Sequence, residues 1–243
     1  MRQLLPVTLA DVDPYEAYRP EDPAKPQLRL NMVSSVDGAV TDEHGRSGGL
    51  GEAADREVFR ILRAHADAIL VGAGTVRTEG YGPHRLRADL AARRREDGRQ
   101  APAAMVVVTR SLELDLRAPL FTEARTPTVV LTCGAASAER RRALAEHARV
   151  LVAGEHDVDL AAGLAALRDE LGAAQVLCEG GPGFNSALFA AGVVDELCVT
   201  VAPTLVDGDG PRLAAQLGRR VDLRLVAAYE QDSELLLRYA VGA

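Results

Sequence analysis

The sequence predicts an α/β protein with a mostly parallel central sheet, helices on both faces and a C-terminal antiparallel hairpin. Short apolar runs alternate with stretches of helical period along most of the chain, which is the pattern of repeated strand-helix-strand units. Several of the runs end in glycine or small polar residues, as strands do where they turn into helices. Near the C-terminus the alternation stops. There Leu223 to Ala228 and Glu234 to Tyr239 flank Glu230-Gln231-Asp232-Ser233, which reads as a hairpin.

Composition sets the outer limits. The chain has 243 residues, 47% of them hydrophobic, enough for a substantial core. Its net charge of −7 argues against sequence-independent nucleic-acid binding and against an anionic membrane surface. No run of eighteen apolar residues appears and the N-terminus lacks a signal-peptide pattern, so a cytoplasmic enzyme is the expectation. Cys133, Cys178 and Cys198 lie in apolar runs without metal-ligand spacing and are expected to be reduced and buried. The single lysine, Lys25, and the abundant alanine read as base composition of the genome.

Taken in order, residues 1–25 carry Pro6, Pro14, Pro20 and Pro23, with Pro26 directly after, and read as an irregular arm before one domain over 26–243. Leu28 to Val33 is a strand candidate leading to the turn signal Asp37-Gly38. From Glu52 the period becomes helical, with Ala54, Val58, Ile61, Leu62 and His65 on one face and Arg56, Arg60 and Arg63 on the other, the wet side. Ala68 to Val71 is a buried strand running into Gly72-Ala73-Gly74-Thr75. That turn lacks the third glycine of a dinucleotide fingerprint. Residues 80–101 read as a loop with a helical piece from about Leu86, its Arg93-Arg94-Arg95 run a solvated helix end. Ala104 to Val108, Thr128 to Thr132 and Val150 to Ala153 read as strands. Ala138 to His147 and Leu160 to Leu171 read as helices, the second opened by Asp159 as N-cap.

The run Gln175-Val176-Leu177-Cys178 ends in Glu179-Gly180-Gly181-Pro182-Gly183, followed by a helix over Phe184 to Ala191, and Glu196 to Ala202 is the next strand. Glycines at a strand end admit a ligand close to the backbone, and free N–H groups at a helix start favour a diphosphate. Polar turns at Asp37-Gly38, Gly72-Thr75, Thr109-Arg110-Ser111 and Glu179-Gly181 would converge on the carboxyl rim of a parallel sheet, which suits an extended ligand such as a dinucleotide with a second molecule beside it.

Leu30-Asn31-Met32-Val33-Ser34-Ser35-Val36-Asp37-Gly38, Ala68-Ile69-Leu70-Val71-Gly72-Ala73-Gly74-Thr75-Val76, Glu179-Gly180-Gly181, Val194-Asp195-Glu196-Leu197 and Ala202-Pro203 occur in an order that resembles the C-terminal reductase domain of bifunctional riboflavin biosynthesis proteins, over residues 26–240. The resemblance implies a dihydrofolate-reductase-like fold and NADPH-dependent reduction of 5-amino-6-(5-phosphoribosylamino)uracil or the related diaminopyrimidinone. It implies homodimers as well. By the same resemblance Gly74, Thr75, Val76, Thr109, Arg110, Ser111, Val152, Gly180, Gly181, Pro182 and Gly183 fall to the cofactor. Asn31, Ser35, Ser47, Arg63 and Glu79 fall to the phosphorylated pyrimidine substrate, with Asp37 and Glu179 as the catalytic carboxylates; no metal is implied.

The sequence departs from the family pattern at Asn31, where lysine is usual, at Glu79-Gly80-Tyr81, and at Gly49-Leu50-Gly51. These departures bear on the substrate, so a folate-like pterin or another imine or carbonyl acceptor stays open, as does an NADP(H)-binding protein without turnover. Arg85 and Arg87 are further candidates for a substrate phosphate. The His-x-Glu and Pro-Cys-x-x-Cys strings of a zinc deaminase are absent. His65 is expected to pack in the core and Cys178 to be a small buried side chain.

Overall fold

Each apolar run becomes a strand whose alternate side chains enter opposite layers, and this alternation builds two cores from one sheet. The computed structural model describes residues 1–99, 101–207 and 210–242. In chain order the first half comprises β1 (Arg2–Leu5), α1 (Pro14–Ala17), β2 (Gln27–Ser35), α2 (Ala53–His65), β3 (Ala68–Gly72), α3 (Ala73–Glu79), α4 (Ala88–Glu96) and β4 (Ala104–Val108). The second half comprises α5 (Pro119–Thr122), β5 (Val129–Thr132), α6 (Ala138–Ala145), β6 (Arg149–Val152), α7 (Leu160–Leu171), β7 (Gln175–Cys178), α8 (Pro182–Ala191), β8 (Glu196–Ala202), β9 (Leu223–Gln231) and β10 (Glu234–Val241).

The strands form one sheet in the order β1-β9-β10-β8-β2-β7-β3-β4-β5-β6. From β8 to β6 neighbouring strands are parallel, while β10, β9 and β1 add to the β8 edge antiparallel. One core lies between the sheet and α7 and α8, where Leu30, Leu70, Val106 and Leu131 meet Leu164, Leu167 and Leu188. The other lies beneath α1, α2 and α4, where Ile69, Val71, Met105 and Val107 meet Tyr15, Val58, Ile61, Leu62 and Leu90. The parallel strands place all their carboxyl ends on one rim.

The arm is more ordered than its prolines suggest. β1 pairs with β9, and Asp13 caps α1 by accepting the Tyr15 N–H at 2.9 Å. The Gly72-Thr75 segment is also not a loop: β3 passes directly into α3 at Ala73. The helix after Gly181 begins at Pro182, a residue that suits the first helical turn because its missing N–H would have had no partner there. Within the arginine run, Arg94 is buried and donates to the carbonyls of Ala64, Ala66 and Ala101, closing the end of α2, while Arg93 pairs with Asp13 and Glu16. His65 packs in the core as expected, its ring 4.1 Å from that of Tyr15 and its Nε2 donating to the Tyr15 carbonyl at 2.9 Å. All three cysteines are free and buried.

The N-terminus of α2 is capped from the far end of the chain. Glu234, wholly buried at the start of β10, accepts the backbone N–H groups of Glu52 and Asp55 at 2.9 and 3.0 Å. A second buried charge cluster stands under β8, where Glu196 accepts from Arg29 at 3.1 Å and from Arg238 at 2.6 Å. Burial raises the Glu196 carboxyl, but the two guanidiniums outweigh it and the net shift is downward.

Candidate active site

A cleft of about 750 Å³ opens at the carboxyl rim over β2, β3 and β7. Its floor is the end of β2, with Asn31, Met32 and Val33. One wall is the face of α2 that carries Asp55, Arg56, Phe59 and Arg63 at helical spacing. The opposite side is made by Gly74, Thr75, Thr78 and Glu79 of α3 and by the turn from Glu179 through Gly181, Pro182, Gly183 and Phe184.

The two glycine segments meet at this point. The Gly72 N–H donates to the Gly180 carbonyl at 3.0 Å, and a Cβ on Gly181 would stand 2.7 Å from Thr75 Oγ1. Gly180 has φ of +87°, where only glycine is unstrained, and a Cβ there would lie 3.0 Å from Met32 Sδ. At Gly74 and Gly183 an added Cβ would meet nothing within 4 Å, so the backbone is open toward the cleft. No side chain caps α8, which leaves its first-turn amides to a ligand. This turn fits a diphosphate.

Beside it Glu179 is held on both oxygens. Arg63 donates through Nε at 2.6 Å and Nη2 at 2.7 Å, and the Tyr81 hydroxyl donates at 2.8 Å. The Glu179 side chain is 2% exposed. Burial pulls the Arg63 guanidinium down, but Glu179 and then Tyr81 reverse this and the net shift is upward. Burial, followed by the Glu179 charge, pushes the Tyr81 hydroxyl far up, so it stays a donor. Glu79 accepts from both the backbone N–H and the hydroxyl of Ser47 at 3.3 Å, tying the loop before α2 to α3.

Of the residues expected from sequence, Asn31, Ser47, Arg63, Gly74, Thr75, Glu79, Glu179, Gly181, Pro182 and Gly183 line the cleft. Gly180 lies buried behind it and joins the two glycine segments, and Val76 packs against the second core. Thr109, Arg110 and Ser111 follow β4 and Val152 ends β6, on the same rim but beyond the cleft. Three strand spacings separate β3 from β6, about 14 Å. Thr109 Oγ1 accepts the Leu112 N–H, Ser111 Oγ accepts that of Glu113, and Arg110 is exposed, 4.0 Å from Asp157.

Other expected roles do not fit the geometry. Asp37 is exposed and outside the cleft. Its carboxylate accepts from the Ser35 hydroxyl at 2.5 Å and from the N–H groups of Val206 and Asp207 at 3.3 and 2.9 Å, which holds it at about 2. Asp37 fastens a loop. Ser35 is buried and serves the same turn, accepting the Ala39 N–H at 2.9 Å. Arg63 lines the cleft, with Nε and Nη2 of its guanidinium engaged by Glu179. Arg85 and Arg87 are engaged with Glu123 and with Glu57 and Asp89.

Sequence reasoning missed Asp55, Phe59 and Tyr81. Asp55, Phe59 and Arg63 stand at i, i+4 and i+8 along the side of α2 read as wet, so helical spacing from Arg63 was the available signal. Among the described residues no group of three or more His, Cys, Asp or Glu side chains could hold a metal ion, and no helix is long and apolar enough to cross a membrane.

Residues 26–237 match the model of the RibD C-terminal domain. The chain belongs to the RibD C-terminal domain family. Within the family's curated relatives it is 32% identical to a protein of Archaeoglobus fulgidus over 189 residues, 77% of this chain and 85% of that one. It is 31% identical to one of Methanothermobacter thermautotrophicus over 226 residues, 89% of this chain and 99% of that one. Both relatives are named 2,5-diamino-6-ribosylamino-4(3H)-pyrimidinone 5′-phosphate reductase. Among solved structures, a pyrimidine reductase-like protein of Corynebacterium diphtheriae superposes with a TM-score of 0.82 at 26% identity, covering 96% of this chain and all of that one. A dihydrofolate reductase of Enterococcus faecalis shares the fold, with a TM-score of 0.51 at 14% identity over 89% of this chain and 97% of that one. The dihydrofolate-reductase-like fold expected from the resemblance is the fold observed.

Proposed function

We propose that this chain is an NADPH-dependent reductase that converts a phosphorylated ribosylaminopyrimidine to its ribitylamino product in riboflavin biosynthesis. The observation that carries the reading is the opening of an uncapped glycine turn, Gly181–Gly183, onto the same cleft as the polar wall of Asn31, Ser47, Asp55 and Glu79. Family membership and the named relatives support it.

The amides at the start of α8 receive the cofactor diphosphate, with Gly74 and Thr75 alongside. An exposed Arg110 on the same rim supports a 2′-phosphate on the adenosine side. When bound, the reduced nicotinamide supplies hydride to C1′ of the opened ribosylamine. Met32, Val33, Phe59 and Phe184 line the cleft and give it an apolar surface that would exclude water from the space between bound ligands. Glu179, pinned by Arg63 and Tyr81, contributes a fixed shape and charge between the ligands. With both oxygens engaged it is a positioning residue.

The test is purified protein with NADPH and 2,5-diamino-6-ribosylamino-4(3H)-pyrimidinone 5′-phosphate, followed at the nicotinamide absorbance, with dihydrofolate offered in competition. Substrate-dependent oxidation is expected. Oxidation with dihydrofolate alone would move the activity to a pterin, and NADPH binding by calorimetry without oxidation on either acceptor would leave a nucleotide-binding protein.

A further inference from the structure

An aspartate at the third position of a helix ordinarily turns its carboxylate back to the helix's own free N–H groups. Asp55 holds that position in α2, but Glu234 has taken the Glu52 and Asp55 N–H groups, so the Asp55 carboxyl is not consumed by capping. It lines the cleft instead. Gly51 leaves room for it, since a Cβ on Gly51 would overlap the carboxylate.

Its surroundings fix the group without neutralising it. Thr200, buried on β8, stands beside the carboxyl with a hydroxyl that favours its charged form. Arg56 spends one guanidinium nitrogen on the Gly51 carbonyl at 2.8 Å, and among the described residues no cation stands within ion-pair distance of Asp55. Burial raises the carboxyl; Thr200 and Arg56 oppose this, and the Glu234 charge adds to it. A carboxyl so placed gains most from a ligand that brings N–H donors. Eight residues on, about 12 Å along the helix, the Arg63–Glu179 pair closes the same wall, with Phe59 between them.

We infer that Asp55 reads the pyrimidine ring, accepting the paired N–H groups of a 2-aminopyrimidin-4-one edge and rejecting the 2-oxo edge of a uracil. The 2-amino and N3–H groups present two parallel donors that match the two oxygens of a carboxylate. A uracil presents one N–H between two carbonyl oxygens, and a carbonyl then faces a carboxylate oxygen with no proton between them. This inference rests on the reductase reading and names the half of its substrate class that the cleft selects.

The test is kcat/KM at saturating NADPH for 2,5-diamino-6-ribosylamino-4(3H)-pyrimidinone 5′-phosphate and for 5-amino-6-(5-phosphoribosylamino)uracil, with wild type, Asp55→Asn and Thr200→Val. Wild type is expected to prefer the 2-amino ring by on the order of 100-fold or more. An asparagine offers one acceptor and one donor and suits the N3–H and 2-oxo pair, so in Asp55→Asn the ratio is expected to fall by about 100-fold or invert. Thr200→Val, which keeps the carboxyl but frees it, is expected to lower the ratio by about tenfold. A wild type without preference overturns the inference whether or not the variants fold, and so does a ratio unchanged in Asp55→Asn that still binds NADPH by calorimetry. If wild type reduces neither ring, the reductase reading is what fails.

Discussion

Arg63 and Glu179 form the contact on which the cleft's shape depends, and a double-mutant cycle tests that dependence. In Glu179→Gln the neutral amide cannot match the guanidinium fork, and Arg63 is left charged with a side chain 21% exposed. In Arg63→Met the Glu179 carboxylate, 2% exposed, keeps only the Tyr81 hydroxyl. Removing one partner of a buried pair costs about 3–5 kcal/mol. The part of Arg63 that reaches solvent places Glu179→Gln at the lower end, about 3 kcal/mol, and Arg63→Met nearer 4 kcal/mol. The double variant strands no charge, so its loss is expected near 4 kcal/mol rather than the sum of about 7, a coupling of about 3 kcal/mol. Urea unfolding at pH 7 measures this through midpoints, provided the slope is unchanged. Each single variant should melt about 10 °C lower. Additive losses, with a coupling below about 0.5 kcal/mol, would refute the reasoning and return Arg63 to the substrate.

Three further predictions concern other parts of the chain. Gly180→Ala forces a side chain to positive φ against Met32 and should cost about 1–2 kcal/mol and weaken NADPH binding about tenfold by calorimetry, whereas Gly183→Ala, with nothing near its Cβ, should leave stability within about 0.5 kcal/mol. Burial holds His65 at about 4, while burial and then Arg63 and Arg94 hold His84 at about 3, both below the ordinary 6.5. The unfolded chain then binds protons that the folded one refuses, so stability is full above pH 6.5 and is lost as pH falls toward 4, by about 1.4 kcal/mol per pH unit for each histidine. Urea midpoints at pH 7 and pH 5 should show that loss, and His84→Leu should halve it. Arg238→Met removes one guanidinium from Glu196 and should cost about 3 kcal/mol in urea while the NADPH dissociation constant stays within twofold.

The sheet was legible because each strand is an apolar run with a turn signal at its end, and α7 has the predicted bounds because Asp159 and Gly172 punctuate both ends. β1 was hidden: Pro6 follows it directly, and its partner β9 lies at the other end of the chain, so nothing local marks it. The glycine segments of the site could be read because a close backbone approach demands glycine at fixed places. The polar half could not. Asp37 carries the turn signal Asp-Gly, and the carboxylate that made it look chemical is spent on that turn and the neighbouring loop. Asp55 looks like any first-turn acid until Glu234, brought in by the sheet, takes over the cap. Tyr81 stands in a loop without period, and its meeting with Glu179 depends on how that loop folds over the rim.

The central claim is that a reduced nicotinamide and a phosphorylated ribosylaminopyrimidine react within this one cleft. Transfer of label tests it most directly: NADPH deuterated at both C4 positions is turned over with 2,5-diamino-6-ribosylamino-4(3H)-pyrimidinone 5′-phosphate, and the product is read by mass spectrometry. The account predicts one deuterium on C1′ of the ribityl chain, abolished when the diphosphate turn is blocked by Gly181→Val. A product without deuterium, or deuterium transfer unaffected by that block, would contradict it.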